Sequence, residues 1–317
     1  MKDNLLPEAN QGKFMDPFVT ADGSTRATVE LSNPKTLWFN TGTLCNITCE
    51  NCYIESSPTN DRLVYINAQE VQDYLGQLKD RNWGVSEIGF TGGEPFMNPH
   101  MIDMARAALD AGYEVLILTN AMRPMMRKNV QAGLVDLNAA FPGKLTLRVS
   151  LDHYSPVIHD AERGIGSFEK TQSGMRWLRD AGVKMTVAGR IAWHESDAQA
   201  RKGYAEFFAR HDFNIDPYSP VSTVLFPEMD STVEVPEITT ACWDILGKDP
   251  KDIMCASSRM VVKRRGADRP AVLACTLLAY EEEFELGTTL QEAERSVQLN
   301  HPHCAKFCVL GGASCSA

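Results

Sequence analysis

From about Thr36 onward, apolar runs of strand length alternate with amphipathic stretches of helix length. The runs at 36–40, 87–90, 114–119, 144–151, 184–191 and 213–225 read as strands, and the stretches at 68–79, 101–111, 123–133, 168–181 and 196–210 as the helices between them. Gly112 and Gly182 follow two of these helices, where a left-handed residue caps a helix before the next strand begins. About six β/α units result. Repeated right-handed crossovers build a parallel sheet, and units that keep winding one way curl it into a barrel. Six units are too few for the eight-stranded closed form. The expected fold is therefore α/β, an open partial (β/α)6 TIM-like barrel over residues 36–234.

The rhythm fails at both ends. Residues 1–35 are polar and broken by Pro7, Gly12, Pro17 and Gly23, which predicts an arm lying on the main domain. After Pro227 the pattern is interrupted by Pro236 and Pro250, a helical reading is confined to 238–246, and 259–278 looks like a hairpin. A boundary near residue 235 sets off a small cysteine-rich domain, 235–317. There is no low-complexity tract and no internal repeat beyond the β/α rhythm.

Composition narrows the class. At 317 residues with 44% hydrophobic and 23% charged, the chain falls among globular proteins, not disordered or fibrous ones. A formal charge of −10, from 31 basic and 41 acidic residues, offers no general attraction to nucleic acid or anionic lipid. No stretch approaches the roughly 18 apolar residues of a membrane span, and residues 1–18 lack a basic-then-apolar signal pattern, so a cytoplasmic protein is expected. Nine cysteines, an odd count, argue against a disulfide framework in that compartment and for metal or redox work.

Cys45, Cys49 and Cys52 lie together just after the first strand, in Cys45-Asn-Ile-Thr-Cys49-Glu-Asn-Cys52-Tyr53. Three thiolates at this spacing can cap three corners of an iron–sulfur cube and leave one iron open to a ligand. A structural zinc site is the alternative, although zinc normally takes four protein ligands. Thr91-Gly92-Gly93-Glu94-Pro95 follows the next strand. Its glycines let a ligand approach the backbone and Glu94 can anchor an amine, unless the motif is merely a turn with a helix-capping acid.

The pair of motifs, CxxxCxxC with an aromatic residue after strand one and GGEP after strand two, resembles the radical S-adenosylmethionine (radical SAM) enzymes over roughly residues 36–225. The resemblance implies a [4Fe–4S] cluster on Cys45, Cys49 and Cys52, with S-adenosylmethionine chelating its open iron. Electron transfer from a low-potential donor such as flavodoxin or ferredoxin then cleaves the sulfonium to a 5′-deoxyadenosyl radical, which abstracts hydrogen from substrate. It further implies that Gly92, Gly93 and Glu94 hold the methionyl amine and that the backbone of Tyr53 reads adenine. By the same likeness Asn120, Ser150 and Asp152 contact ribose and carboxylate, and Arg190 the methionyl carboxylate. The duller reading makes Asn120 and Asp152 turn caps and Arg190 a surface cation.

Residues 150–168 resemble the branch carrying a C-terminal SPASM or shorter twitch extension, in which the loop after this strand covers the active site. His153 and His159 in that loop are candidate acids or bases, or ordinary hydrogen-bonded histidines. Cys255, Cys275, Cys304 and Cys308 look like the extension's ligands and imply one auxiliary [4Fe–4S] cluster. Cys315 is an alternative fourth ligand and zinc an alternative metal. Six cysteines follow the first cluster, fewer than the eight that two fully ligated auxiliary clusters need. Cys242 or Cys315 would be a hydrogen-atom donor if the enzyme epimerises its substrate; Cys242 is otherwise a buried thiol. Because 35 residues are too few for a peptide-recognition domain, a small-molecule substrate is expected, with a peptide or protein as the alternative. A zinc- or cluster-bearing binding module is the non-enzymatic reading.

Overall fold

A computed structural model describes residues 12–191, 195–227 and 234–312. A two-residue strand β1 (Thr28–Val29) precedes the first long one, β2 (Thr36–Asn40), which is buried throughout. Then follow α1 (Ala68–Arg81), β3 (Glu87–Thr91), α2 (Met101–Asp110), β4 (Glu114–Thr119), α3 (Lys128–Ala140) and β5 (Leu145–Ser150). The next elements are α4 (Pro156–Arg163), α5 (Ser167–Asp180), β6 (Lys184–Ile191), α6 (Asp197–His211) and β7 (Thr223–Pro227). The strands are nearly continuous apolar runs because helices cover a parallel sheet. Strands β2 to β7 pair in sequence order, each parallel to the next. Because β7 ends the sheet without pairing back to β2, the barrel is partial, as six units require.

Local signals account for the helix ends. Asn67 with Glu70 caps α1, and Ser196 with Gln199 caps α6, each side chain accepting from the other's backbone N–H. Gly112 and Gly182 take the positive φ expected of them, +94° and +67°. Three barrel elements depart from expectation. Helix α3 begins at Lys128, not 123, because Pro124 and the turn around it displace its start. Strand β7 begins only at Thr223, after Pro217 and Pro220. The segment 156–163, expected as loop, is helix α4, opened by Pro156 in its first turn.

The C-terminal segment continues the sheet. Its helical part is α7 (Cys242–Leu246), shorter than the 238–246 expected. The hairpin is present as β8 (Ser258–Val262) against β9 (Ala271–Leu273), and β10 (Glu285–Gly287) extends it. Strand β8 also pairs parallel with β2, so this segment adds to the sheet beside the first barrel strand. Last come β11 (Val297–Gln298) and a π-helix, Cys304–Leu310.

The described part of the arm lies on this C-terminal segment. Strand β1 pairs with β11, and the buried Arg26 donates to the Leu299 carbonyl and to Glu237 at 2.5 Å. Glu237 in turn accepts from the N–H groups of Phe14 and Ala21. Residues 1–11 of the expected arm lie outside the described residues. Removing one partner of a buried ion pair strands the other charge. Glu237→Ala should therefore cost about 3–5 kcal/mol in urea unfolding, and the double variant Arg26→Met with Glu237→Ala clearly less. Equal losses would contradict this.

Candidate radical site and second cysteine site

At the C-terminal ends of the parallel strands opens a cavity. Cys45, Cys49, Cys52 and Tyr53 from the loop after β2 line it, with Gly92 and Gly93 after β3 and Asn120 after β4. Ser150 and Asp152 from the end of β5 and Arg190 from β6 also line the wall, which leaves Glu94 as the one member of the expected set that does not. Nine of the cofactor and cluster residues named from the sequence, together with Tyr53, thus converge, because parallel strands deliver all their following loops to one end.

What joins the two motifs is backbone. The Gly93 N–H donates to the Gly42 carbonyl at 2.9 Å and the Glu94 N–H to that of Leu44 at 3.2 Å. A Cβ at Gly92 would stand 2.6 Å from the Gly42 oxygen, and one at Gly93 2.4 Å from the Leu44 oxygen. The glycines are needed to press the GGEP turn onto the cysteine loop, with ligand access as a second benefit, since both also line the cavity.

Glu94 itself is not on the wall. It is fully buried, and its carboxylate accepts from Thr119 Oγ1 at 2.9 Å, the Asn120 N–H at 2.8 Å and the Phe96 N–H at 3.2 Å. Burial pushes its carboxyl up to about 7 despite these bonds. Among the described residues no cation forms a salt bridge with it. Asn120 serves two ends: its Oδ1 caps the turn at Met122, and its Nδ2 faces Asn46 at 3.0 Å and Cys45 Sγ at 3.9 Å.

Helix α4, which sequence periodicity does not show, clamps the cysteine loop. Glu162 accepts from Asn51 Nδ2 at 2.8 and 3.1 Å, and its carbonyl accepts from the Glu50 N–H. Arg163, a cavity residue absent from the expected set, grips Asp152 with two bonds at 2.6 and 3.1 Å. Arg190 adds its charge to Asp152 at 3.5 Å and donates to the Asn51 carbonyl. Burial pushes the Asp152 carboxyl up, but Arg163 and then Arg190 outweigh it and hold it below its ordinary value. Burial likewise pushes the Cys45 thiol up to about 12, and raises Cys49 against the opposing charge of Arg163.

The four later cysteines also meet. Cys255 on a turn before β8, Cys275 after β9, and Cys304 and Cys308 on the π-helix line a second, apolar cavity with Met254, Leu278 and Phe284. Burial pushes Cys255 up to about 11 and raises Cys304, to which Cys275 and Cys255 add like charge. In each group the thiols share a cavity; among the described residues no three His, Cys, Asp or Glu side chains converge as around a single metal ion. Two residues close in the chain to these later cysteines face the first cavity instead: Leu277, whose N–H donates to Cys275 Sγ at 3.3 Å, and Phe307, between Cys304 and Cys308, which stacks on Phe226 of β7 at 5.6 Å.

Other candidates lie elsewhere. His153 is buried beside Tyr154, accepts from the Ser155 N–H at 2.9 Å and sits 3.2 Å from Glu195. It is a hydrogen-bonded loop histidine outside both walls. His159 is fully buried against Phe168, also away from them. Cys242 is half-buried at the start of α7 beside Thr239, again outside both cavities, and Cys315 lies outside the described residues.

A partial barrel of parallel strands, with three cysteines after its first long strand and a GGEP turn after the second, defines a radical SAM fold and site. The model of the Radical SAM superfamily matches residues 39–202, more than half of the chain, and the chain belongs to that superfamily. It is 30% identical over 171 residues to the antilisterial bacteriocin subtilosin biosynthesis protein AlbA of Bacillus subtilis, a match covering 54% of this chain and 35% of AlbA. It is 28% identical over 143 residues to the AdoMet-dependent heme synthase of Methanosarcina barkeri, covering 43% and 37%. The aligned stretches thus span little more than a third of these relatives. Streptococcus suis SuiB bound to S-adenosylmethionine superposes with a TM-score of 0.58 at 14% identity, covering 81% of this chain and 63% of SuiB. For anSMEcpe with bound AdoMet and Kp18Cys peptide the values are 0.56 and 14%, covering 86% and 83%. No described helix is long and apolar enough to cross a membrane.

Glu94 supplies a test by pH. Its folded value of about 7 lies above the ordinary 4.5, so its contribution to stability is complete below about pH 4.5 and is lost as pH rises through 7. Across pH 5–7 the metal-free protein should lose on the order of 1 kcal/mol per pH unit from this group, and Glu94→Gln should flatten that part of the urea-stability profile. An identical profile in the variant would contradict the assignment.

Proposed function

We propose that the chain is a radical SAM enzyme holding a [4Fe–4S] cluster on Cys45, Cys49 and Cys52, with S-adenosylmethionine beside it, and a second cluster on Cys255, Cys275, Cys304 and Cys308. The carrying observation is that each cysteine set lines its own cavity, three thiols in the first and four in the second. On this reading residues 36–234 form the radical domain and 235–317 the auxiliary one.

The residues present fit these groups. Ser56 donates its N–H to Cys52 Sγ at 3.3 Å, while its own hydroxyl is buried with no partner on the wall of the first cavity. Glu94 is a buried carboxylate short of a cation, directly behind Gly93, Thr119 and Asn120 of the wall, and the methionyl amine of S-adenosylmethionine would supply that cation. Arg163 and Arg190 offer charge to a carboxylate, and Ser150 and Asn120 hydrogen bonds to a ribose. When bound, cluster and S-adenosylmethionine supply a 5′-deoxyadenosyl radical. The chain's own part is to hold both at one end of the barrel, exclude water with the apolar wall of Leu118, Phe226, Leu277 and Phe307, and fix the substrate against that wall.

The substrate we propose is a peptide. AlbA is named for bacteriocin biosynthesis, and anSMEcpe holds a peptide in its structure, which supports that class over the small molecule expected from the short arm. The small-molecule reading keeps support from the heme synthases and from a probable GTP 3′,8-cyclase 25% identical over 143 residues. Donors such as flavodoxin or ferredoxin fit the reductant's role.

Anaerobic reconstitution should give about eight irons per chain, four for each cluster. Replacing Cys45, Cys49 and Cys52 by Ala should remove about half of that iron and abolish 5′-deoxyadenosine release with dithionite and S-adenosylmethionine. Replacing the four later cysteines should remove the other half and leave nucleoside release measurable. Zinc in place of iron, with no nucleoside, would support a binding module instead.

A further inference from the structure

Two arginines are almost completely enclosed beside the C-terminal segment, each 1% exposed, and they are not alike. Arg26 has its carboxylate, Glu237. Arg259, on β8, donates to four main-chain carbonyls: Ala293 at 2.9 Å, Cys255 at 2.5 Å, Ser258 at 2.9 Å and Arg295 at 3.2 Å. Among the described residues no carboxylate pairs with it. Carbonyl dipoles satisfy its hydrogens, but a full positive charge removed from water still needs an opposite charge nearby. The groups placed to provide one are the thiols of Cys255 and Cys275, both on the wall of the second cavity. As thiols they carry none. Bound to iron they are thiolates, and four thiolates outweigh the positive charge of a cluster core.

We infer that Arg259 is the buried counter-ion of the auxiliary cluster, a positioning residue that favours its assembly and raises its reduction potential. The inference rests on the second-cluster reading above. Reduction adds negative charge to the cluster, so a fixed cation behind Cys255 stabilises the reduced form more than the oxidised one.

The test uses the full chain with Cys45, Cys49 and Cys52 replaced by Ala, so that the second site is seen alone. After anaerobic reconstitution, iron and sulfide are counted, and the midpoint potential is read by EPR-monitored titration for this parent and for parent chains carrying Arg259→Gln or Arg259→Lys. The expected result is that R259Q either loads less than half the parent's iron or, when loaded, shows at least a tenfold lower ratio of reduced to oxidised cluster at the parent's midpoint, a shift of 59 mV for one electron. R259K, which keeps the charge but cannot span the four carbonyls, should match the parent. An R259Q chain with the parent's iron content and midpoint overturns the inference. If R259Q does not fold, R259K decides: full loading at the parent's potential upholds the charge role, and failure alongside R259Q reduces Arg259 to a hydrogen-bonding brace. A parent that binds no iron overturns the second-cluster reading itself, a result distinct from any of these.

Discussion

The fold depends on one close approach, that of the GGEP turn to the cysteine loop. Gly93 and Glu94 give their N–H groups to the carbonyls of Gly42 and Leu44, and any side chain at Gly92 or Gly93 would strike that backbone. The register of β2 and β3 brings Asn40 opposite Thr91, so both loops leave the sheet at the same level and meet at once. Everything else at this end is arranged around that seam. Helix α4 ties the far side of the cysteine loop through Glu162, and Arg190 ties it again at Asn51. The three thiols are thereby fixed in a wall instead of waving on a loop.

Among the described residues, each cavity has one buried ionisable group beside it without a counter-ion, and the signs differ. Glu94 is a carboxylate beneath the first cavity with hydrogen bonds but no cation. Arg259 is a guanidinium behind the second with hydrogen bonds but no anion. Isolated charges in a protein interior are costly and usually move their protons or acquire partners. The reading that supplies both partners at once is a cationic amine in the first cavity and an anionic thiolate cluster in the second. Leu277, two residues after Cys275, and Phe307, next to Cys308, both face the first cavity.

Much of this was legible in the chain. Parallel strands buried on both faces must be continuous apolar runs, so five of the six barrel strands stand out, and the glycines after α2 and α5 mark where helices stop. The cysteine spacing and the GGEP turn identify the first site because their chemistry is local. What sequence periodicity does not show has two causes. Helix α4 has only eight residues, two of them buried, so its apolar period is invisible, although Ser155-Pro156 carries its start signal. Arg163, Phe226, Leu277 and Phe307 reach the cavity from distant parts of the chain, through packing that no local pattern encodes. The surroundings of Glu94 are hidden for the same reason: only the fold shows its carboxylate buried off the wall and held by Thr119, Asn120 and Phe96. His153 and Cys242, plausible by residue type, lie outside both cavities.

The claim beneath the rest is that the first cluster keeps an iron open to S-adenosylmethionine. EPR of the dithionite-reduced chain, with Cys255, Cys275, Cys304 and Cys308 replaced so that only this cluster remains, reads that iron directly. Adding S-adenosylmethionine labelled with nitrogen-15 at its amino group should change the spectrum and introduce coupling to the labelled nitrogen by ENDOR. A spectrum unchanged by S-adenosylmethionine, without that coupling, would contradict the account.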